Sequence, residues 1–266
     1  MIILAEASDW LVFRTLAEKE GWRVPEQELA LHRQEESSNS WALRRHDKTL
    51  GLVTGVLHQH SAWIGNLIIA PAERGRGYGA ALFTHAVKEL RASGAETLWL
   101  TASAQGAPLY AARGFQRVGK VERWVRKEGG SGEGKLPDAG ANGGRVDAAV
   151  WGDDRSHLLR HLKKTGNWLQ QGESLALLQK GDDLQIIGPW YGSRQLQDDV
   201  DLLTRLVAIA APQQELAVDL IGNTGRGEIL AAAGFVPVGS TELMVTGPTQ
   251  VQWSRLLALA TLGSCG

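Results

Sequence analysis

The chain is poor in cysteine, in long apolar runs and in excess charge. Its 266 residues include one cysteine, Cys265, which excludes an internal disulfide and any cysteine-rich metal site and fits a reducing compartment. An inert place in the tail is expected for it. No apolar run approaches the roughly 18–20 residues that span a bilayer. The amino terminus, Met1-Ile2-Ile3-Leu4-Ala5, turns acidic at Glu6 and Asp9, with neither the basic nor the apolar region of a secretory signal. Twenty-eight basic residues face 29 acidic ones, so no polybasic field is present to hold nucleic acid or an anionic membrane. A cytoplasmic protein with no nucleic-acid or membrane partner is expected. What the chain does have is 43% apolar residues, enough for a sizeable core, and a length that suits two modest domains.

The segment 128–144, Glu128-Gly129-Gly130-Ser131-Gly132-Glu133-Gly134-Lys135-Leu136-Pro137-Asp138-Ala139-Gly140-Ala141-Asn142-Gly143-Gly144, has little to bury and reads as a linker between halves 1–127 and 145–266. Gly129 to Lys135 has Walker A spacing, but Leu136 stands where the Mg²⁺-binding Ser or Thr is required and no strand–helix frame surrounds it. Before the linker, Ile2–Ala5 is a strand, Ser8 or Asp9 caps a helix, and Glu26–Gln34 is a second helix. Trp41–Arg45, Leu50–His58 and Trp63–Ala70 form an antiparallel meander whose first turn is at Asp47-Lys48. Then follow a helix from Gly77 to Arg91, a strand from Thr97 to Ala102, a short helix from Ala107 to Arg113 stopped by Gly114, and extended chain from Phe115 to Val125.

The second half repeats the first. A shift of 118 places Ile68-Ile69-Ala70-Pro71 on Ile186-Ile187-Gly188-Pro189 and Leu98 on Leu216. At 120, Ala111-Ala112, Gly114-Phe115, Val118-Gly119 and Glu122 fall on Ala231-Ala232, Gly234-Phe235, Val238-Gly239 and Glu242. So many identities in two registers indicate a duplicated unit.

Chemistry concentrates in Leu67-Ile68-Ile69-Ala70-Pro71-Ala72-Glu73-Arg74-Gly75-Arg76-Gly77-Tyr78-Gly79-Ala80-Ala81-Leu82. A strand stopped by proline enters a loop with glycine at alternate positions, which opens directly into a helix. The glycines allow close backbone approach, and the first helical amides have no intrahelical acceptor. Such a loop binds phosphate or pyrophosphate, aided by Arg74, Arg76 and the helix dipole. A dinucleotide fingerprint needs a different glycine spacing and an acid about 20 residues on, and Thr97–Ala102 holds none. His58 and His60 share a strand face but lack a third ligand at metal spacing. Ten tryptophans are many for this length. Core or interface packing accounts for most, and Trp22 is a candidate for the rim of an acceptor entrance.

Arg74-Gly75-Arg76-Gly77-Tyr78-Gly79 resembles the Arg/Gln-x-x-Gly-x-Gly/Ala motif of the GNAT N-acetyltransferases. Leu109-Tyr110-Ala111-Ala112-Arg113-Gly114-Phe115 resembles the family's second marker, Tyr followed four residues later by Gly-Phe. The resemblance covers residues 1 to about 127, and the second half looks like the degenerate repeat of YitH-like tandem GNAT proteins. It implies an α/β (α+β) fold of two tandem GNAT-like domains, each a mixed, mostly antiparallel sheet flanked by helices. It also implies acetyl-coenzyme A between the strands Trp63–Ala70 and Thr97–Ala102. The pantetheine would lie on the backbone of Ile68 and Ile69, and the pyrophosphate on Arg74, Gly75, Arg76, Gly77, Tyr78, Gly79 and Ala80. No metal is implied.

By the same resemblance, Tyr110 is the general acid that protonates the departing thiolate. The general base stays open among His58, His60, Glu35, Glu36 and water, because Trp63–Ala70 contains no acid and no histidine. In the repeat register Ala72–Gly79 corresponds to Trp190-Tyr191-Gly192-Ser193-Arg194-Gln195-Leu196-Gln197, and Tyr110 to Leu230, so the second half has lost the cofactor machinery. The function expected is acetyl transfer to a primary amine of a small molecule or an exposed amino group, by a monomer or homodimer. A non-catalytic acyl-coenzyme A sensor or scaffold is the alternative.

Overall fold

The computed structural model describes residues 1–34, 38–132, 140–181, 184–222 and 224–266. In the first half, β1 (Ile2–Leu4), α1 (Ala7–Lys19) and α2 (Glu26–Gln34) precede the meander β2 (Ser38–Arg45), β3 (Lys48–Leu57) and β4 (Ser61–Ile69). Then come α3 (Tyr78–Ala92), β5 (Thr97–Ala102), α4 (Ala107–Ala111) and β6 (Gln116–Arg126). The second half comprises α5 (Gly140–Trp151), α6 (Ser156–Lys163), β7 (Gly166–Gln171), β8 (Ser174–Gln179), β9 (Leu184–Tyr191), α7 (Leu196–Ile209), β10 (Glu215–Ile221), α8 (Gly227–Ala232), β11 (Val236–Thr246) and β12 (Leu256–Ala258).

Local chemistry sets several boundaries. α1 starts ahead of the expected Ser8 or Asp9 cap: Glu6 is the N-cap, and its N–H donates to Asp9 Oδ2 at 2.8 Å. The same buried Asp9 accepts from Arg44 and Thr49, fastening α1 to the β2–β3 hairpin. That hairpin turns at His46-Asp47, one residue before the expected place, with both residues at positive φ (48° and 60°), the backbone of a two-residue turn that matches strand twist. α5 begins at Gly140, inside the segment read as a linker, while Glu133–Ala139, with Lys135 of the Walker-like stretch, lies outside the described residues. The linker's first glycines are packed: the Gly130 N–H donates to Ala210 O at 3.1 Å, and a Cβ on Gly129 would collide with Ala211 O.

The duplicated registers reappear in space. β4, α3 and β5 recur as β9, α7 and β10, while β6 and β11 occupy Gln116–Arg126 and Val236–Thr246, offset by 120 at both ends. Among the described residues, twelve strands form one mixed, mostly antiparallel sheet in the order β1-β2-β3-β4-β5-β11-β6-β10-β12-β9-β8-β7. The centre of that order differs from two sheets laid end to end. β11 of the second half lies between β5 and β6, and β6 of the first half pairs with β10 over Leu216↔Arg126 to Ile221↔Val121. Residue 127 therefore ends a stretch of chain but not a unit of packing, because each half's last long strand completes the other half's sheet.

The core follows the same sharing. One buried cluster joins Trp63, Trp99 and Val121 to Trp151, Trp168, Tyr191, Leu243 and Val245. Trp151 sits 5.1 Å from the Trp99 ring and 6.3 Å from the Trp63 ring, and the buried Arg155 guanidinium lies 4.0 Å over it. Most of the tryptophans are thus core and seam residues. Cys265 belongs to this core too: it is fully buried, with Sγ 3.5 Å from His32 Nε2, and not a loose tail residue.

Candidate active site

β4 and β5 run parallel and are in register only at Ser61↔Thr97, Ala62↔Leu98 and Trp63↔Trp99. Beyond Trp63 they diverge and open a V. On the β3 side, β4 carries a bulge, with the register passing from Thr54↔Gly65 to Leu52↔Ile68 and Asn66 at φ 55°. A bulge turns backbone groups away from the ladder, and here it lies on the wall of the V. Asn66 Nδ2 is held by Thr54 Oγ1 (3.3 Å) and His32 Nε2 (3.4 Å). Burial keeps the His32 ring neutral, pushing its pKa down to about 3, so its Nε2 can accept.

The glycine loop closes one end of the V. Gly75 and Gly77 have φ of 77° and 79°, and a Cβ at either would meet nothing within 4 Å; the loop is bare backbone facing open space. The N-cap of α3 is Gly77 itself, and Ala81 N–H is the first to bond back, to Gly77 O at 3.0 Å. The amides ahead of it are the exposed donors of a helix start. Arg74 is not free over this nest. Its Nε donates to Ile69 O (2.9 Å) and its Nη2 to Glu20 (2.6 Å), so it braces the loop against β4 and α1. Arg76 pairs with Glu73 at 3.0 Å.

A cavity of about 620 Å³ runs from this loop through the V to the α1–α2 side. Of the residues singled out in the sequence, Ile68, Ile69, Arg74, Gly75, Gly77, Tyr78, Gly79 and Tyr110 line it, with Trp22 at its rim; Arg76 and Ala80 do not. Tyr110 stands on α4 with its ring against Phe83 (4.9 Å) and Phe115 (6.3 Å). Burial raises its hydroxyl pKa to about 12, which keeps it protonated at neutral pH.

The histidines proposed as bases fall elsewhere. His58 is buried, not solvated, with its ring 5.1 Å from that of His157 on α6; desolvation and the nearby Arg155 charge hold its pKa well below the usual range. His60 is exposed beside Asp153, which fixes the hairpin by accepting from the His60 and Ser61 amides. Neither lines the cavity. Glu35 and Glu36 lie outside the described residues.

The acid that sequence reasoning missed is Glu28. It lies on α2, 1% exposed, and belongs to the lining of the cavity. Its Oε1 accepts the Leu262 N–H at 2.7 Å and its Oε2 the Ser264 hydroxyl. Desolvation outweighs these bonds and raises its pKa to about 7. A carboxyl whose folded-state pKa lies above its unfolded value binds more protons folded than unfolded, so its contribution to stability is present below about pH 4.5 and is lost as pH rises through 7. At roughly 1.36 kcal/mol per unit, the loss is about 3 kcal/mol. Denaturant titrations at pH 5 and pH 8.5 should show wild type losing stability relative to Glu28→Gln by this order; parallel curves would mean that Glu28 is not buried as a carboxylate.

In the second half the corresponding V is closed. β9 and β10 are parallel at Leu184↔Glu215 to Ile186↔Ala217, and β12 then lies between them, with Ala258 opposite Leu220 on one side and Trp190 on the other. The chain continues past β12 into the first half, where Trp63 Nε1 donates to Gly263 O (3.0 Å) and Arg123 Nη2 to Leu262 O (2.9 Å).

The sequence profile of the acetyltransferase (GNAT) family matches residues 7–115. This stretch is similar to that family. No curated protein matches the chain in sequence, but solved structures match nearly its whole length. A candidate acetyltransferase from Pyrococcus horikoshii is 20% identical with a TM-score of 0.79, covering 100% of this chain and 95% of its own. A GCN5-related N-acetyltransferase from Sphaerobacter thermophilus is 14% identical, TM-score 0.65, covering 94% and 96%. A tandem GNAT protein of the clavulanic acid pathway is 16% identical, TM-score 0.59, covering 94% and 99%. At these identities the likeness is one of fold, and it extends the GNAT architecture across both halves.

Proposed function

We propose that the chain is an acetyl-coenzyme A dependent N-acetyltransferase of the YitH-like tandem type, cytoplasmic, monomeric or homodimeric, acting on a primary amine of a small molecule or an exposed amino group. The observation that carries this reading is the contrast between the two Vs: the first is open and floored by bare glycine amides, while the second is filled by the chain's own β12. The residues fit the cofactor. Amides from Gly75 to Ala80 would hold the pyrophosphate, and the backbone of Ile68 and Ile69, on a strand that has lost its neighbour, would pair with the pantetheine. When bound, acetyl-coenzyme A supplies an activated acetyl thioester open to direct attack by a neutral amine. Tyr110 holds a proton on the α4 side of the V for the departing sulfur. With acetyl-coenzyme A bound, a backbone N–H freed from the ladder at the Asn66 bulge would donate to the thioester oxygen.

Calorimetry on the full chain tests the contrast: one acetyl-coenzyme A per chain is expected, two would overturn the reading of the second half, and none would overturn the first. Gly77→Val should weaken that binding at least about tenfold, since a branched side chain at positive φ costs roughly 1–3 kcal/mol and stands where phosphate approaches. Wild-type affinity in the variant would move the phosphate site elsewhere. A non-catalytic acyl-coenzyme A sensor would show the same binding but no coenzyme A release over a panel of primary amines.

A further inference from the structure

We propose that Ser264 and Glu28 act together as the proton acceptor for the incoming amine, so that the end of the second half supplies a working group to the site of the first. This rests on the acetyltransferase reading and goes beyond it by assigning the base.

Three observations converge. Glu28 is a buried carboxylate with no ion-pair partner among the described residues: there its oxygens take the Leu262 amide and the Ser264 hydroxyl, while the Arg123 guanidinium, whose charge it feels, is engaged by both oxygens of Asp219 at 2.7 Å. An unpaired buried carboxylate destabilises a fold, and unused buried acids on a cavity wall mark functional sites. Ser264 also lines the cavity, and its backbone abuts β4 so closely that a Cβ on Gly65 would lie 2.5 Å from Ser264 O. Gly65 is the residue before the Asn66 bulge, so Ser264 stands beside the part of β4 where the thioester would be read. Finally, the other titratable groups around Glu28 are not suited to the task. Arg123 of β6 and Asp219 of β10 are paired with each other. His32 of α2 is held neutral by burial, and the Cys265 thiol is pushed far up by burial and the Glu28 charge.

The step balances without a co-reactant. An acceptor arrives as an ammonium and gives one N–H proton to Ser264 Oγ. The hydroxyl's own proton passes to Glu28 Oε2, leaving a neutral amine with a free lone pair and a neutral carboxylic acid. Ser264 touches the amine, and Glu28 acts through it. The carboxyl must be ionised to accept, so activity rises as pH passes through about 7.

The test uses the full chain, acetyl-coenzyme A and two probes: benzylamine, an ammonium at neutral pH, and hydroxylamine, already neutral there. Glu28→Gln keeps an acceptor for the Leu262 N–H, and Ser264→Ala leaves the backbone contacts. Both should lower transfer to benzylamine by at least about 10²-fold and abolish the limb near pH 7, while changing transfer to hydroxylamine little. Equal losses with both probes, a limb that survives in Glu28→Gln, or a wild type that serves hydroxylamine alone would overturn the proposal. A second readout needs no turnover: in the infrared difference between wild type and Glu28→Gln, a carboxyl band should titrate near pH 7, with a midpoint that moves up in Ser264→Ala. A carboxyl ionised throughout pH 5–9 would overturn the proposal by itself. Wild type that binds no acetyl-coenzyme A counts against the acetyltransferase reading, and the infrared titration still decides whether Glu28 takes up a proton.

Discussion

Tyr110→Phe should lower the single-turnover rate of acetyl transfer by about 10²-fold or more and leave acetyl-coenzyme A affinity nearly unchanged, since general acid catalysis contributes roughly 10²–10⁴. The substitution removes one oxygen and keeps the ring, which packs between Phe83 and Phe115, so neither the α4 wall nor the cavity should move. The loss belongs in the chemical step because the hydroxyl is needed only as the thiolate departs. The pH dependence is specific. Burial raises the Tyr110 pKa to about 12, so the acid form is present below that value and the limb reporting its loss lies above the usable range. Profiles of wild type and variant should therefore run parallel to about pH 10, offset by the rate loss, both with the lower limb near 7 that Glu28 provides. Steady-state turnover can be limited by product release, which makes the single-turnover rate the deciding measurement. An unchanged rate would reduce Tyr110 to a packing residue and favour the sensor reading.

What the sequence displayed, and what it hid, divides along the range of the interactions involved. The glycine loop was legible because its chemistry is local: alternate glycines, a proline-ended strand and a helix start lie within Leu67 to Leu82, and the structure makes that stretch a bare backbone nest. The duplication was legible because it is written in identities, and its two registers return as matching elements. The exchange of β6 and β11 was not, and could not be. The two strands are repeat equivalents with similar patterns, so either could complete either half, and pairing partners 90 or more residues apart leave no local trace. Glu28 was hidden for the same reason, since Leu262 and Ser264 bury it from more than 230 residues away. One signal was present: Glu28 precedes Leu29 and stands four residues before His32, on the buried face of α2. An acid on the apolar face of a helix is unusual. His58 was a candidate base because a residue at the end of a strand, before a turn, is normally wet and free to titrate; α6 covers it. The run Leu256-Leu257-Ala258-Leu259-Ala260 was the missed sign of a buried strand in the tail.

Residues 1–127 expressed alone should yield no folded monomer. Cut there, β5 keeps three residue pairs with β4 and loses all five with β11, while β6 loses both neighbours, β11 and β10. The exposed β5 is not edge-like: Leu98, Trp99 and Leu100 are buried in the intact chain, the strand TLWLTA carries neither charge nor proline, and such apolar edges pair with other chains. The core is cut as well. Met244 is removed from the cluster around Phe83, and Leu243, Val245, Trp151 and Trp168 from the cluster around Trp63 and Trp99, each loss comparable to a large-to-small substitution worth roughly 2–5 kcal/mol. Several such losses exceed the roughly 5–15 kcal/mol that holds a typical domain. The repeat offers one rescue within the fragment itself, because β6 and β11 are equivalents: a second copy's β6 could take the place of β11. Sedimentation of the fragment should accordingly show dimer or aggregate at every concentration that gives a folded circular dichroism spectrum. Mixing it with residues 140–266 should restore a one-to-one complex that binds acetyl-coenzyme A. A monomeric, cooperatively melting 1–127 that binds the cofactor unaided would show that the exchanged strands are dispensable and that the first half is a unit of packing after all.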